Sequence, residues 1–166
     1  MSLDNIQLPD TILQGLYSKC LYDLESDKSV LSDIPASQIS FLGSNQKKIA
    51  ILVNSETSIY LPDDELGFLM GILTACKLSM ADIALVNLSK NAGLNYLALF
   101  KQLKAEKIFL FGLKADAIEL PLQFPHYQIQ QFNNQVYLSS VSLNEMQTNK
   151  DEKMKLWNCL KKIFSI

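Results

Sequence analysis

Two rhythms of apolar residues run along this chain. Near its start, Ile12, Leu13, Leu16, Tyr17, Cys20, Leu21 and Leu24 recur at helical intervals. They trace one face of a helix of about 3.5 turns, with Asp10 placed to cap it. The polar residues 1–9 read as a flexible tail. Ser26 to Gly43 is rich in Ser and Asp and contains Pro35, so it reads as a surface connection. Ile39, Phe41 and Leu42 offer a short edge strand at its end.

The second rhythm is a run of short, continuous apolar segments. Lys48-Ile49-Ala50-Ile51-Leu52-Val53 is β-branched and unbroken, the pattern of a strand buried on both faces. Ile83 to Asn87 and Lys107 to Gly112 repeat it. Between them lie two helical patterns. One starts at Leu61-Pro62-Asp63-Asp64-Glu65, where Asp63 or Asp64 is the expected cap, and carries Leu66, Leu69, Met70, Ile72, Leu73 and Cys76. Apolar on most sides, it is expected to pack deeply, with Gly67 and Gly71 admitting a neighbouring backbone. The other spans Asn95 to Lys104. Tyr127 to Gln130 and Gln135 to Leu138 flank Phe132-Asn133-Asn134, which predicts a hairpin or a bent strand. A terminal helix from Glu152 to Ile163 directs Met154, Leu156, Trp157 and Leu160 inward and its lysines outward. Strand, helix, strand, helix, strand at this spacing places the chain in the α/β class. The expected architecture is a three-layer α/β/α sandwich around a central, mainly parallel sheet of four or five strands, in a single domain of residues 1–166.

Composition narrows the function classes. Hydrophobic residues make up 48% and charged residues 19%, which is globular rather than disordered. The net charge is −2, and all 15 basic residues are Lys. Without the planar fork of Arg and without a basic excess, direct nucleic-acid binding is not expected. Cys20, Cys76 and Cys159 are far apart, with no C-x-x-C pair, and there is one His, His126. Buried free thiols and no metal site are expected. The start lacks a signal-peptide pattern, and the longest apolar run, within Leu66 to Cys76, is far short of the ~20 residues of a membrane span. A reducing, cytoplasmic setting follows as the expectation.

Candidate chemistry belongs at the carboxyl ends of the parallel strands. Those ends are Asn54-Ser55-Glu56-Thr57, Asn87-Leu88-Ser89, Gly112-Leu113-Lys114 and Ser139-Ser140-Val141-Ser142. The phosphate-cradling glycine motifs and the G-x-S-x-G elbow are absent, so neither a cofactor nor a catalytic set is assigned. His126, after Pro125 at a strand start, reads as a hydrogen-bonded structural residue. Asp63-Asp64-Glu65 reads as an acidic helix start, and Trp157 as a core anchor. One enzymatic reading remains: Asn54, Ser55, Glu56, Ser140 and Ser142 converge on a pocket in which Glu56 is a general base for a small-molecule or nucleotide substrate.

The order of elements is similar to the uracil-DNA glycosylase fold. Where that family carries a water-activating G-[QE]-[DN]-P-[YF] motif, this chain has Asn54-Ser55-Glu56-Thr57. Where it carries H-P-S-P, this chain has Ser139-Ser140-Val141-Ser142-Leu143. The chain resembles more closely the psi subunit of bacterial DNA polymerase III, which has that fold without its activity. The resemblance rests on Leu61 to Leu88, on Lys107 to Gly112, and on Val141 to Leu160 with its Lys153-Met154-Lys155-Leu156-Trp157. It implies a non-enzymatic subunit acting in the replisome through contacts with clamp-loader or other replisome proteins. The apolar stripe offered for such contacts is Ile12, Leu13, Leu16, Tyr17 and Leu21, with packing over one face of the sheet as its alternative role.

Overall fold

The buried apolar runs become the strands of one sheet. A computed structural model describes residues 38–166. The stripe Ile12, Leu13, Leu16, Tyr17 and Leu21, the tail 1–9 and Cys20 lie outside the described residues. In chain order the elements are β1 (Leu42–Gly43), β2 (Ile49–Val53), α1 (Asp63–Ala75), β3 (Ile83–Asn87), α2 (Tyr96–Ala98), β4 (Lys107–Phe111), β5 (Ile129–Phe132), β6 (Gln135–Ser140), α3 (Leu143–Thr148) and α4 (Lys150–Phe164). The α2 turn continues into a π-helical turn, Leu99–Leu103, which ends at Lys104 in the left-handed conformation.

The sheet has six strands in the order β1-β3-β2-β4-β6-β5. Its middle is parallel: Ile49 lies opposite Ile83 on one side and Lys107 on the other, and Leu110 lies opposite Ser139. Both edges are antiparallel, so the sheet is mixed rather than mainly parallel, and larger than the four or five strands expected. Each edge has a local cause. Asn133 and Asn134 both have positive φ, 50° and 60°, and close β5 onto β6 with a two-residue turn of matching twist. At the other edge the chain approaches β3 at Gly43, where a Cβ would collide with the carbonyl oxygens of Ile83 and Met80.

Alternation along the strands divides the core. Ile49, Ile51, Val53, Ile83, Leu85, Phe109, Phe111 and Leu138 face α1, α3 and α4. Ala50, Leu52, Ala84, Val86, Ile108, Leu110 and Tyr137 face Leu99, Leu103 and the turn Ala115–Ile118. Helices therefore cover both sheet faces, an arrangement compatible with three layers. Cys76 and Cys159 are buried free thiols, and burial raises the pKa of both. Among the described residues, no helix is long and apolar enough to cross a membrane.

Three features of α1 differ from the expectation. Pro62 holds the N-cap position and no side chain caps the helix, so Asp63, Asp64 and Glu65 act on the dipole of the first turn only. Among the described residues Gly67 and Gly71 admit no neighbour: a Cβ at either would meet nothing within 4 Å. The helix also buries less than a pattern apolar on most sides implies, since Leu69 and Leu73 are its buried residues while Met70 is 49% exposed.

On the opposite face, Tyr137 and Gln135 form a buried polar pair inside the sheet layer. The Tyr137 hydroxyl donates to Gln135 Oε1 at 2.7 Å, and Gln135 Nε2 donates to the Ala105 carbonyl at 2.7 Å. Burial, with a smaller contribution from Tyr96, pushes the Tyr137 hydroxyl up to about 12. In the unfolded chain a tyrosine ionises near pH ~10, so between those values the unfolded state has lost a proton that the folded state keeps. Stability present below pH ~10 is therefore lost as pH rises toward ~12. Urea midpoints from pH 8 to 11.5 check this: the wild type should fall more steeply above pH 10 than Tyr137→Phe. Parallel curves would remove the assignment.

Candidate functional site

The carboxyl end of β2 is organised by a residue from the next strand. Asn87 ends β3 and its side chain is fully buried. Its Nδ2 donates to the carbonyls of Ser55 at 2.7 Å and of Ser58 and Ile59 at 3.1 Å. Its Oδ1 accepts from the backbone N–H of Ser55 at 3.0 Å and of Ser89 at 3.2 Å. An amide serves here because it carries donors and acceptors on one short stem. The loop after β2 is thus folded around Asn87. Asn54 accepts from the Ser89 hydroxyl, and the Glu56 carbonyl, not its exposed carboxylate, meets Lys90 Nζ at 3.4 Å.

Ser140 and Ser142 lie two strands away, since β4 separates β2 from β6. Ser140 is buried and its hydroxyl donates to the Val141 carbonyl at 3.2 Å. Ser142 caps α3, its Oγ accepting from the Glu145 N–H. Asn54 and Ser55 are therefore brought together with Asn87, whereas Ser140 and Ser142 serve the turn into α3. The cavities described below are lined by other residues. Among the described residues, no group of three or more His, Cys, Asp and Glu side chains could hold a metal ion.

His126 is held as its position before β5 leads one to expect. Ser139 Oγ gives its single proton to the Leu113 carbonyl at 2.7 Å, and His126 Nδ1 lies 2.9 Å from that same oxygen. Proton counting makes Nδ1 the donor. The ring borders an open cavity of about 500 Å³ with Lys114, Asp116, Gln123 and Phe124. Next to it, burial and a hydrogen bond with Glu152 hold the Tyr127 hydroxyl well above its ordinary range. Glu152 is in turn held low, first by its hydrogen bond with Lys155 and then by Tyr127. This chain of contacts fastens the first turn of α4 to the loop before β5.

An open, largely apolar concavity lies between α1 and α4. It encloses about 400 Å³ and is lined by Gly67, Phe68, Gly71, Ile72 and Ala75 of α1, Met146 of α3, and Lys153, Leu156, Trp157 and Leu160 of α4. The helical periods produce it. On α4, Leu156, Cys159 and Leu160 point into the core, and Trp157, one residue and about 100° round from Leu156, stands half out at 36% exposure. The expected core anchor thus belongs to the surface, as does Met154 at 54%. On α1, the two glycines leave the wall open. Lys153 Nζ sits 5.4 Å from the Phe68 ring centroid and Lys161 Nζ 6.0 Å from that of Trp157, so each cation borders the apolar surface. In the sequence these residues are marked by the pair Gly67 and Gly71 and by K-x-x-L-W, but their meeting in one groove is set by the tertiary fold.

A scan against protein-family models finds no match to this chain. A search of curated proteins likewise finds no relative.

Proposed function

We propose that this protein is a non-enzymatic binding subunit of the kind its resemblance to the psi subunit implies. It works in the cytoplasm, within the replisome, through contacts with clamp-loader or other replisome proteins. The same reading takes its sheet and helices as a uracil-DNA glycosylase-like fold without that family's chemistry. The observation that carries the proposal is the α1–α4 groove. An apolar channel beside a half-exposed Trp, with two helical glycines that no contact among the described residues requires, has the composition of a protein-docking surface. The strand ends support it from the other side, because the polar groups of Ser55, Asn87, Ser140 and Ser142 are engaged in holding local backbone.

The test is co-elution of the full chain with a purified clamp-loader complex in gel filtration at micromolar concentration. A shared peak is expected. Separate elution across a tenfold range of concentration would overturn the replisome assignment.

A further inference from the structure

We infer that the α1–α4 groove receives an amphipathic helix whose apolar face is flanked by carboxylates spaced two turns apart. This rests on the protein-binding reading and names the chemistry of the partner. The two walls run side by side, with Phe68 against Lys153 near one end and Ala75 and Leu160 lining the channel near the other. From Gly67 to Ala75 the α1 wall is roughly 12 Å long, the length of two turns of a docked helix and of three anchors at i, i+3 or i+4, and i+7. Gly67, Gly71 and Ala75 present nothing beyond a Cβ along that wall, so a partner backbone can come close.

Charge selects the partner. No Asp or Glu occurs from Leu66 to Lys77 or from Lys153 to Ile166, the two stretches that form the walls. Lys153 and Lys161 stand on the α4 rim, exposed, and neither has a carboxylate partner among the described residues. Eight residues apart on one helix, they are separated along its axis by roughly 12 Å. Carboxylates at i and i+7 or i+8 of a docked helix meet both. The nearby acidic residues precede these two stretches: Asp63 to Glu65 in the first turn of α1, Glu145 beside Met146 of α3, and Asp151 and Glu152 in the first turn of α4.

Trp157 is the only tryptophan in the chain, so its emission reports directly on the groove. The probes are two synthetic 18-residue helices sharing a Leu face, one flanked by Glu and the other by Lys. The Glu-flanked peptide should shift Trp157 emission to the blue saturably and bind roughly tenfold more tightly than the Lys-flanked one. Lys153→Glu with Lys161→Glu should invert that preference, and Gly71→Leu should abolish the shift while the protein stays folded. The inference is overturned by an unsaturable or absent shift, by equal affinity for the two peptides, or by unchanged binding in Gly71→Leu. It is overturned too if sedimentation shows the groove already occupied by a second copy of the chain. Co-elution with the clamp loader in the absence of peptide binding places the docking surface elsewhere and leaves the protein-binding reading standing. Selective peptide binding without co-elution supports the groove and removes the replisome assignment.

Discussion

Asn87→Ala lowers the unfolding free energy by about 3 kcal/mol and the thermal midpoint by roughly 6–12 °C. The side chain is fully buried and contacts Ser55, Ser58, Ile59 and Ser89 through the hydrogen bonds of both its amide atoms. Truncation leaves three carbonyls and two N–H groups short of a partner. The loop is partly open to water, which offsets some of that cost and keeps the effect below the sum of its bonds. Asn87→Asp is the sharper variant: it keeps the acceptor but turns a carboxylate toward three carbonyl oxygens, so it should be worse than Ala at pH 7 and recover as the carboxyl is protonated. Exposed Asn54→Ala should stay within about 0.5 kcal/mol of wild type. Urea denaturation of the three variants checks the order, and a loss below about 1 kcal/mol for Asn87→Ala would refute the account of this loop.

The second large effect is on association and runs opposite to stability. Gly71 lies inside α1 with ordinary helical backbone, and no described residue stands where a side chain would reach. Glycine there costs roughly 1 kcal/mol of helix propensity relative to alanine, and nothing within the described residues requires it. Gly71→Leu should therefore raise the thermal midpoint by a few degrees, since leucine removes the backbone penalty and covers Ile72 and Trp157. The same side chain fills the groove, and partner affinity should fall at least about thirtyfold, the loss typical of a blocked hot spot. A variant that is more stable and binds less separates docking from folding. Gly71→Leu that binds normally would mean that the groove is not the contact surface.

The parts of the fold legible in the sequence are those set by local pattern. Strands β2, β3 and β4 are buried on both faces, so unbroken runs such as Ile49 to Val53 announce them. The Asn133-Asn134 turn carries its own φ preference, which makes the β5–β6 hairpin readable. Strand β1 was harder, because Leu42 and Gly43 pair with Leu85 and Ala84 only through a close approach to a segment forty residues on. The role of Asn87 is equally non-local: a polar residue ending an apolar strand marks the place, but the Ser55–Ile59 loop it holds lies some thirty residues earlier. Periodicity does not separate Trp157 from Leu156, which are neighbours on the helix at the edge of its apolar arc. Nor does it say whether Gly67 and Gly71 face a packed neighbour or open space, since that depends on the separation of α1 and α4.

The central claim, that this chain is a replisome binding subunit docking through the α1–α4 groove, is tested most directly by quantitative gel-filtration co-elution with the clamp-loader complex, run in parallel for the wild type and Gly71→Leu. The account predicts that the wild-type chain moves into the clamp-loader peak while Gly71→Leu, equally folded, elutes alone. Wild-type chain that never joins the peak, or both chains joining it equally, would contradict the account.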